Sequence, residues 1–500
     1  MPPRVADALV VGIVGDPASL LGDDPVGRVI AGAVVEPLVR RTATEDLEPR
    51  LVSAVPTIEN GDLRIVVDPE APGGRFVATF RLREGVRWHD GQPLTASDVR
   101  FAYERDRDAR AGSDERIVAD RMARVEVVDD RTVRVTYRAA ERYDLYALAP
   151  RALPRHLLAS ADAAASEQYA RSPVHAGPYR IAGRAPGVIT LEAFAAHVLG
   201  APHIPRVVVR SYSSRTILLG ALLAGEVDVA PSPGFDADLA ATLERSTGDR
   251  GLQVLYTPAQ SVAMLRFGPR LAEQAIRDAA ALTVDRERTA RAVFGGRARI
   301  PSSYLVAPLW AAAETGGGTR LDRAAANALL ERAGYRRGNF GIAERGGDRL
   351  IVTLIVPTSS PALLEAARGV AVDLAVLGIA VQVSERPRSE VDDRVARGDF
   401  DLAVREERAD DAVLATERYR GAVSPWWDVL SEAARDTRDR VDARPIYAEM
   451  QRLWWEEVAA LPLYQVLKVD VVPARLDGAR PAAHAAPLTW NASEWSFASR

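Results

Sequence analysis

An α/β fold spread over more than one domain is what this sequence predicts, and three observations predict it. The chain has 500 residues, beyond the size at which one hydrophobic core stops growing, so two or three domains are expected. Short β-branched runs alternate with helical apolar patterns along both halves. Apolar residues make up 47% and charged residues 26%, the balance of a soluble globular protein, which sets disordered and fibrous classes aside.

The first segment reads as a strand (Leu9 to Val14), a Pro/Gly/Asp loop and a helix (Val26 to Glu36), followed by EPLVRR and a charged stretch from Arg40 to Arg50. From Asp62 to Tyr137 strand signals dominate. RVEVVDDRTVRVTY is two Val/Thr-rich runs joined at Asp129-Asp130, the pattern of a hairpin. GPYRIAGRAPGVITLEAF is again two short strands around a Gly/Pro turn, and VVVRSYSSRTILLGALLAGEVDVAP reads strand, helix, strand.

The second half opens on the strand VAMLRF and a helical run, then a helix stopped by Gly334. LIVTLIV, ALLEAARGVAVDLAVLGI and AVQV form one strand, amphipathic helix and strand unit. Helix IYAEMQRLWWEEVAA, strand PLYQVLKVDVV and a Pro-broken tail with Trp490 and Trp495 close the chain.

Net charge is −4 with acids and bases interspersed, so no footprint for nucleic acid or an anionic membrane is visible. Nearly all basic residues are arginine, Lys468 being the single lysine, which fits coding bias better than selection for anion binding. The absence of cysteine excludes disulfides, thiolate metal sites and a Cys nucleophile. The apolar run from Ala8 to Val14, preceded by Asp7, is too short and wrongly flanked for a signal peptide or membrane span.

The stretch FRLREGVRWHDGQPLTASDVRFAYER holds His89 beside Asp90, which read as a dyad or half a metal site. His-Asp-Gly is equally a turn in which Gly91 allows positive φ, and Thr95 with Asp98 forms a capping-box variant, so a structural role is favoured. The six histidines (89, 156, 175, 197, 203 and 484) show no metal-binding spacing. Gly-x-Ser-x-Gly and phosphate-loop motifs are absent. No catalytic residue, metal or cofactor is therefore predicted.

These same residues carry a resemblance. The stretch from Phe80 to Arg105 resembles the signature of the family 5 extracellular solute-binding proteins, the oligopeptide, dipeptide and nickel binding components of bacterial ABC importers. EPLVRR with LEPRLVSAV, RALPRHLL, SPVHAGPYRI, LLGALLAGEVDVAP, IRDAAALTVDRERTARAVFGG, LDRAAANALLERAGY and GDFDLAV resemble further family segments in the same order, over roughly residues 9 to 470. The resemblance implies a two-lobed periplasmic-binding-protein-like α/β fold of class II, cluster C type, with an extra β-rich subdomain in the first lobe. Its expected layout is lobe I in 1–50, 170–257 and 465–500, the inserted subdomain in 51–169 and lobe II in 258–464, crossing near Tyr256 to Pro258 and Leu463 to Gln465.

The function implied is capture of a small solute, a peptide or peptide-like amine-bearing compound, between hinged lobes and its delivery to an ABC transporter permease. In peptide-binding relatives the strand after the Asp-Phe-Asp of residues 399–401 pairs with ligand main chain, and an acid a few positions on holds the ligand's amino terminus; Asp410 falls there. A desolvated carboxylate facing an ammonium contributes roughly 1.5–3 kcal/mol net. Glu406 and Glu407 stand where relatives carry Gly and Trp, and the Pro after the acid is missing, which shifts weight toward a cationic ligand. Arg405 and Arg408 flank this acidic run, which reads equally as a solvated edge.

Trp426 and Trp427 are candidate apolar walls, although on a strand neighbouring side chains face opposite ways and one of them would be core. Asp16 and Ser19, in the loop after the first strand, are a second candidate ligand surface. The protein is expected to be a monomer without nucleic-acid partners, extracytoplasmic as a periplasmic or cell-surface lipoprotein whose leader lies outside this sequence. A hydrolase using His89 or Asp410 as acid or base, and a ligand sensor reusing the fold, are the alternatives.

Overall fold

The structure, a computed structural model, describes residues 8–17, 20, 25–109, 114–138, 149–235, 237–246, 251–313, 321–358, 360–409, 412–419, 423–437, 440–484 and 486–498. The chain divides into two compact units, Met1–Thr257 with Lys468–Arg500, and Pro258–Leu467. Both crossing points fall inside long strands, Leu252–Phe267 and Ala460–Pro473.

Unit 1 has two four-stranded sheets among the described residues, besides two short two-stranded ones. In the first, the strand Ala8–Val14 pairs in parallel with Arg206–Tyr212, and Val188–Ala193 and Tyr179–Ala185 extend it antiparallel. The first strand is apolar on both sides because both faces are covered, which is why it reads as a continuous run. The second sheet is wholly antiparallel, in the order Leu63–Asp68, Ala71–Arg81, Thr132–Tyr137, Met122–Asp129. One face packs on the helix Ala96–Arg107 around Phe80, Trp88, Val99, Val133 and Tyr137, and the other is polar.

The charged stretch after the first helix is folded inward. Glu36 is buried and receives bonds from Arg50 Nε (2.7 Å) and His197 Nε2 (2.9 Å). Burial pushes its carboxyl up, yet the His197 and Arg50 bonds and charges outweigh this and hold it below its ordinary 4.5. Arg40 bridges Glu48 and Glu494 and stacks 4.5 Å from the Trp490 ring, tying the tail to the start of the chain. The ammonium of Lys468 donates to the carbonyls of Ala482, His484 and Ala486, a structural use of the one lysine.

Unit 2 is built on a five-stranded mixed sheet in the order Ala380–Arg386, Ile351–Pro357, Leu402–Arg408, Leu252–Phe267, Ala460–Pro473, with a small three-stranded sheet beside it in sequence at residues 336–349. Ile351–Pro357 and Ala380–Arg386 pair in parallel across the helix Pro361–Val376, a βαβ unit whose helix starts with Ser360 as N-cap and Pro at its first turn. On one side of the sheet lies an aromatic core of Tyr304, Tyr419, Trp427 and Trp454, with ring centroids 5.2–6.2 Å apart.

Candidate functional site

The His89-Asp90 pair is bound up in the fold. Gly91 takes φ +88° and completes the turn, while Asp98 Oδ2 accepts the Thr95 backbone N–H at 2.8 Å at the start of the next helix. His89 Nε2 bonds the Gly177 carbonyl (3.0 Å), and its Nδ1 accepts the His175 N–H (3.2 Å). His175 returns a carbonyl to the His89 N–H at 2.7 Å. Gly177 is required there, since a Cβ would stand 2.2 Å from the Val34 carbonyl oxygen. Burial drives the His89 imidazole down to about 4, so at neutral pH it is uncharged. Both ring nitrogens are thus committed to backbone, and Asp90 bonds the Gln92 N–H and His156 Nε2 instead.

In unit 2, residues 405–407 lie on the strand Leu402–Arg408, paired antiparallel with Ser261–Phe267 and, at its start, in parallel with Ile351–Pro357. Glu407 points into the aromatic core. Its carboxylate meets Arg266 at 3.3 Å and accepts the Tyr419 hydroxyl at 2.7 Å, and Arg266 sits 4.6 Å over the Tyr419 ring. Burial raises the Glu407 carboxyl, but the guanidinium charges of Arg266, Arg405 and Arg418 and the Tyr419 bond bring it below 4.5. Arg405 pairs with Asp392 at 3.2 Å.

Glu406, on the alternate face, is half-buried and has no ion-pair partner among the described residues. Burial, and then the Glu406 charge, raise the Tyr464 phenol, whose hydroxyl has no hydrogen-bond partner among the described residues. One residue before the paired segment, the Gln260 carbonyl accepts the Ala409 N–H at 2.7 Å, and both polar atoms of the Gln260 side chain are buried without partners among the described residues. Asp410 follows immediately and lies outside the described residues. The end of this strand therefore places Glu406 near Tyr464 on one face, while Gln260, opposite Ala409, lies on the Glu407 face. Sequence reasoning missed Gln260 and Tyr464; the signal available was a polar residue at the head of the otherwise apolar VAMLRF run.

Trp426 and Trp427 are on the helix Pro425–Asp436, not on a strand. Ser424 and Pro425 are an N-cap and first-turn pair that starts a helix, and the two rings are then about 100° apart. Trp427 is fully buried in the aromatic core, while Trp426 is exposed.

In unit 1 the carboxyl ends of the parallel strands Ala8–Val14 and Arg206–Tyr212 form an edge of the kind where open α/β sheets take ligands. Gly15 N–H bonds the Tyr212 carbonyl at 2.9 Å, and Asp16 follows with its side chain exposed and 4.0 Å from Arg184. Beside it, Ile13, Val26, Arg215, Pro231 and Gly234 line a hollow of about 110 Å³. Ser19 lies outside the described residues.

A family model for bacterial extracellular solute-binding proteins, family 5 Middle, matches residues 72–414. This chain belongs to solute-binding protein family 5. The family 5 chain is 27% identical to protein XP55 of Streptomyces lividans over 388 residues, 76% of this chain and 67% of XP55. It is 30% identical to the probable ABC transporter periplasmic-binding protein SapA of Escherichia coli over 225 residues, 43% of this chain and only 38% of SapA. Among solved structures it is similar to the Thermus thermophilus oligopeptide-binding protein complexed with pentapeptide (TM-score 0.78, 21% identity, 98% and 96% of the two chains). It is likewise similar to NikA from Brucella suis with Fe(III)-EDTA (TM-score 0.80, 19% identity, 98% and 99%).

These structures establish for the family 5 chain the two-lobed α/β solute-binding fold. The Escherichia coli SapA is named as a probable ABC transporter periplasmic-binding protein, and the Salmonella typhimurium SapA as a peptide transport periplasmic protein. No helix among the described residues is long and apolar enough to cross a membrane.

Proposed function

We propose that this family 5 chain is the substrate-binding component of an ABC-type importer, taking up a peptide or peptide-like amine-bearing solute outside the cytoplasm and passing it unchanged to a membrane permease. The observation that carries the ligand class is Glu406, an acid without an ion-pair partner among the described residues at the end of the Leu402–Arg408 strand, next to Tyr464. An ammonium there gains a charge-assisted bond. Asp410, two residues past the strand, supplies a second carboxylate close by in sequence.

Native mass spectrometry of the purified protein identifies a co-purifying solute, and thermal shift against short peptides and metal chelates ranks the class. A peptide returned intact supports the proposal; a hydrolysed one refutes it, and stabilisation only by metal chelates replaces the ligand class. Glu406→Gln and Asp410→Asn are each expected to weaken an amine-bearing ligand by more than tenfold, about 1.4 kcal/mol. The Asp16 edge of unit 1 is a separate candidate surface, tested by Asp16→Asn with the same readout.

A further inference from the structure

Unit 1 contains a hollow that the transport reading leaves unused. It measures about 280 Å³ and is lined by residues of the helix Ala96–Arg107 and of the segment 151–176, with Val35, Pro37, Leu94, Ala152, Leu153 and Leu158 among its apolar walls. Its polar lining includes Glu36, Arg105, Arg151, Ser166 and Tyr169. Trp88 and His175 line it too, but their unpaired ring nitrogens are inaccessible and take no part.

Three of the polar groups are already paired. Glu36 is held by Arg50 and His197, the Tyr169 hydroxyl donates to the Val174 carbonyl at 3.0 Å, and Arg151 grips Asp106 at 2.6 Å. Arg105 differs from them. It is exposed, has no carboxylate partner among the described residues, and is held by a long 3.4 Å bond to the Leu158 carbonyl and by the Phe101 ring, 5.9 Å away. Half-buried Ser166 keeps a hydroxyl without a partner among those residues. The hollow therefore joins apolar walls to one uncompensated cation.

From this we propose that the hollow is a second small-molecule site, taking a monocarboxylate with a short apolar body whose carboxylate pairs with Arg105 and whose hydrocarbon lies against the Leu94, Leu153 and Leu158 walls. A planar guanidinium matches a carboxylate with two parallel bonds, and Ser166 adds a neutral donor. The size agrees: about 150 Å³ suffices for benzene, and drug-sized ligands need upward of about 300 Å³. An amine-bearing solute is disfavoured here, because Arg105 repels an ammonium and the lining carboxylate of Glu36 is already paired.

The probe is hexanoate, with hexan-1-ol as the analogue lacking the charge and acetate as the analogue lacking the hydrocarbon, and binding is followed by ligand-observed NMR on the full chain. Wild type should bind hexanoate at least tenfold more tightly than either analogue. Arg105→Gln should bring hexanoate level with hexan-1-ol while keeping the wild-type unfolding midpoint, since the side chain is exposed. Glu406→Gln should leave hexanoate affinity unchanged, separating this site from the transport ligand. Acetate bound as tightly as hexanoate would reduce Arg105 to a solvated surface cation and overturn the assignment. So would equal affinity of wild type for hexanoate and hexan-1-ol, a hexanoate preference that survives Arg105→Gln, an affinity altered by Glu406→Gln, or no binding of hexanoate at millimolar concentration.

Discussion

Replacing Glu407 by alanine should destabilise unit 2 by roughly 3–5 kcal/mol, the usual result of breaking a buried ion pair from one side. The magnitude follows from what would be stranded. The Arg266 side chain is only 13% exposed and that of Glu407 5%, so the guanidinium would lose its counter-charge at 3.3 Å in a place water does not reach. The Tyr419 hydroxyl would lose its acceptor at 2.7 Å at the same time. Glu407→Gln keeps that acceptor and loses only the charge, so it should cost less, about 2–3 kcal/mol.

The assay is urea unfolding followed by tryptophan emission. Arg266→Met combined with Glu407→Leu should recover most of the loss, because a buried pair replaced whole by apolar groups leaves no uncompensated charge. The folded-state carboxyl lies below its ordinary 4.5, so the stabilisation is full above that pH and is lost as pH falls through the folded value. Loss of ligand affinity with unchanged unfolding in Glu407→Ala would refute the reasoning and return this carboxylate to the ligand site.

Three further outcomes are expected. His89 is held near 4 in the fold against 6.5 for a free imidazole. The stability it contributes is complete above 6.5 and is lost as pH falls through about 4; about 2 kcal/mol goes between about pH 7 and pH 5, measured by urea unfolding across that range, and His89→Gln should flatten the slope. Asp470 runs the other way: burial raises its carboxyl from 3.8 to about 6, so stability falls as pH rises through that window. Asp470→Asn keeps an oxygen for the Ser232 N–H and should stabilise the protein at neutral pH by about 2–3 kcal/mol in the same assay. Trp427→Ala should cost about 3–5 kcal/mol and Trp426→Ala under about 0.5 kcal/mol, read from the unfolding midpoints.

Much of the local structure was legible because its causes are local. The unit from Ile351 to Arg386 announces itself by a switch of apolar period from two to 3.6 and back, with Ser360 and Pro361 marking the helix start. The same signal stood at Ser424-Pro425, and reading it would have put Trp426 and Trp427 on a helix. Glu407 was harder. Adjacent acids look solvated, and only the alternation of the strand together with Arg266, 141 residues earlier, makes one of them core.

Sequence alone determined the family, because the WHDG turn, the capped helix after it and the ordered motifs each depend on residues close together in the chain. The tertiary structure decided which side chains remain uncommitted. His89 is satisfied by Gly177 and His175, some 86 to 88 residues away. Glu36 is satisfied by His197, 161 residues on, while Gln260, Trp88 and His175 keep side-chain polar atoms with no partner among the described residues. Whether a polar group serves the fold or a ligand depends on its partners, and partners brought together by long-range pairing leave no periodic trace in the chain.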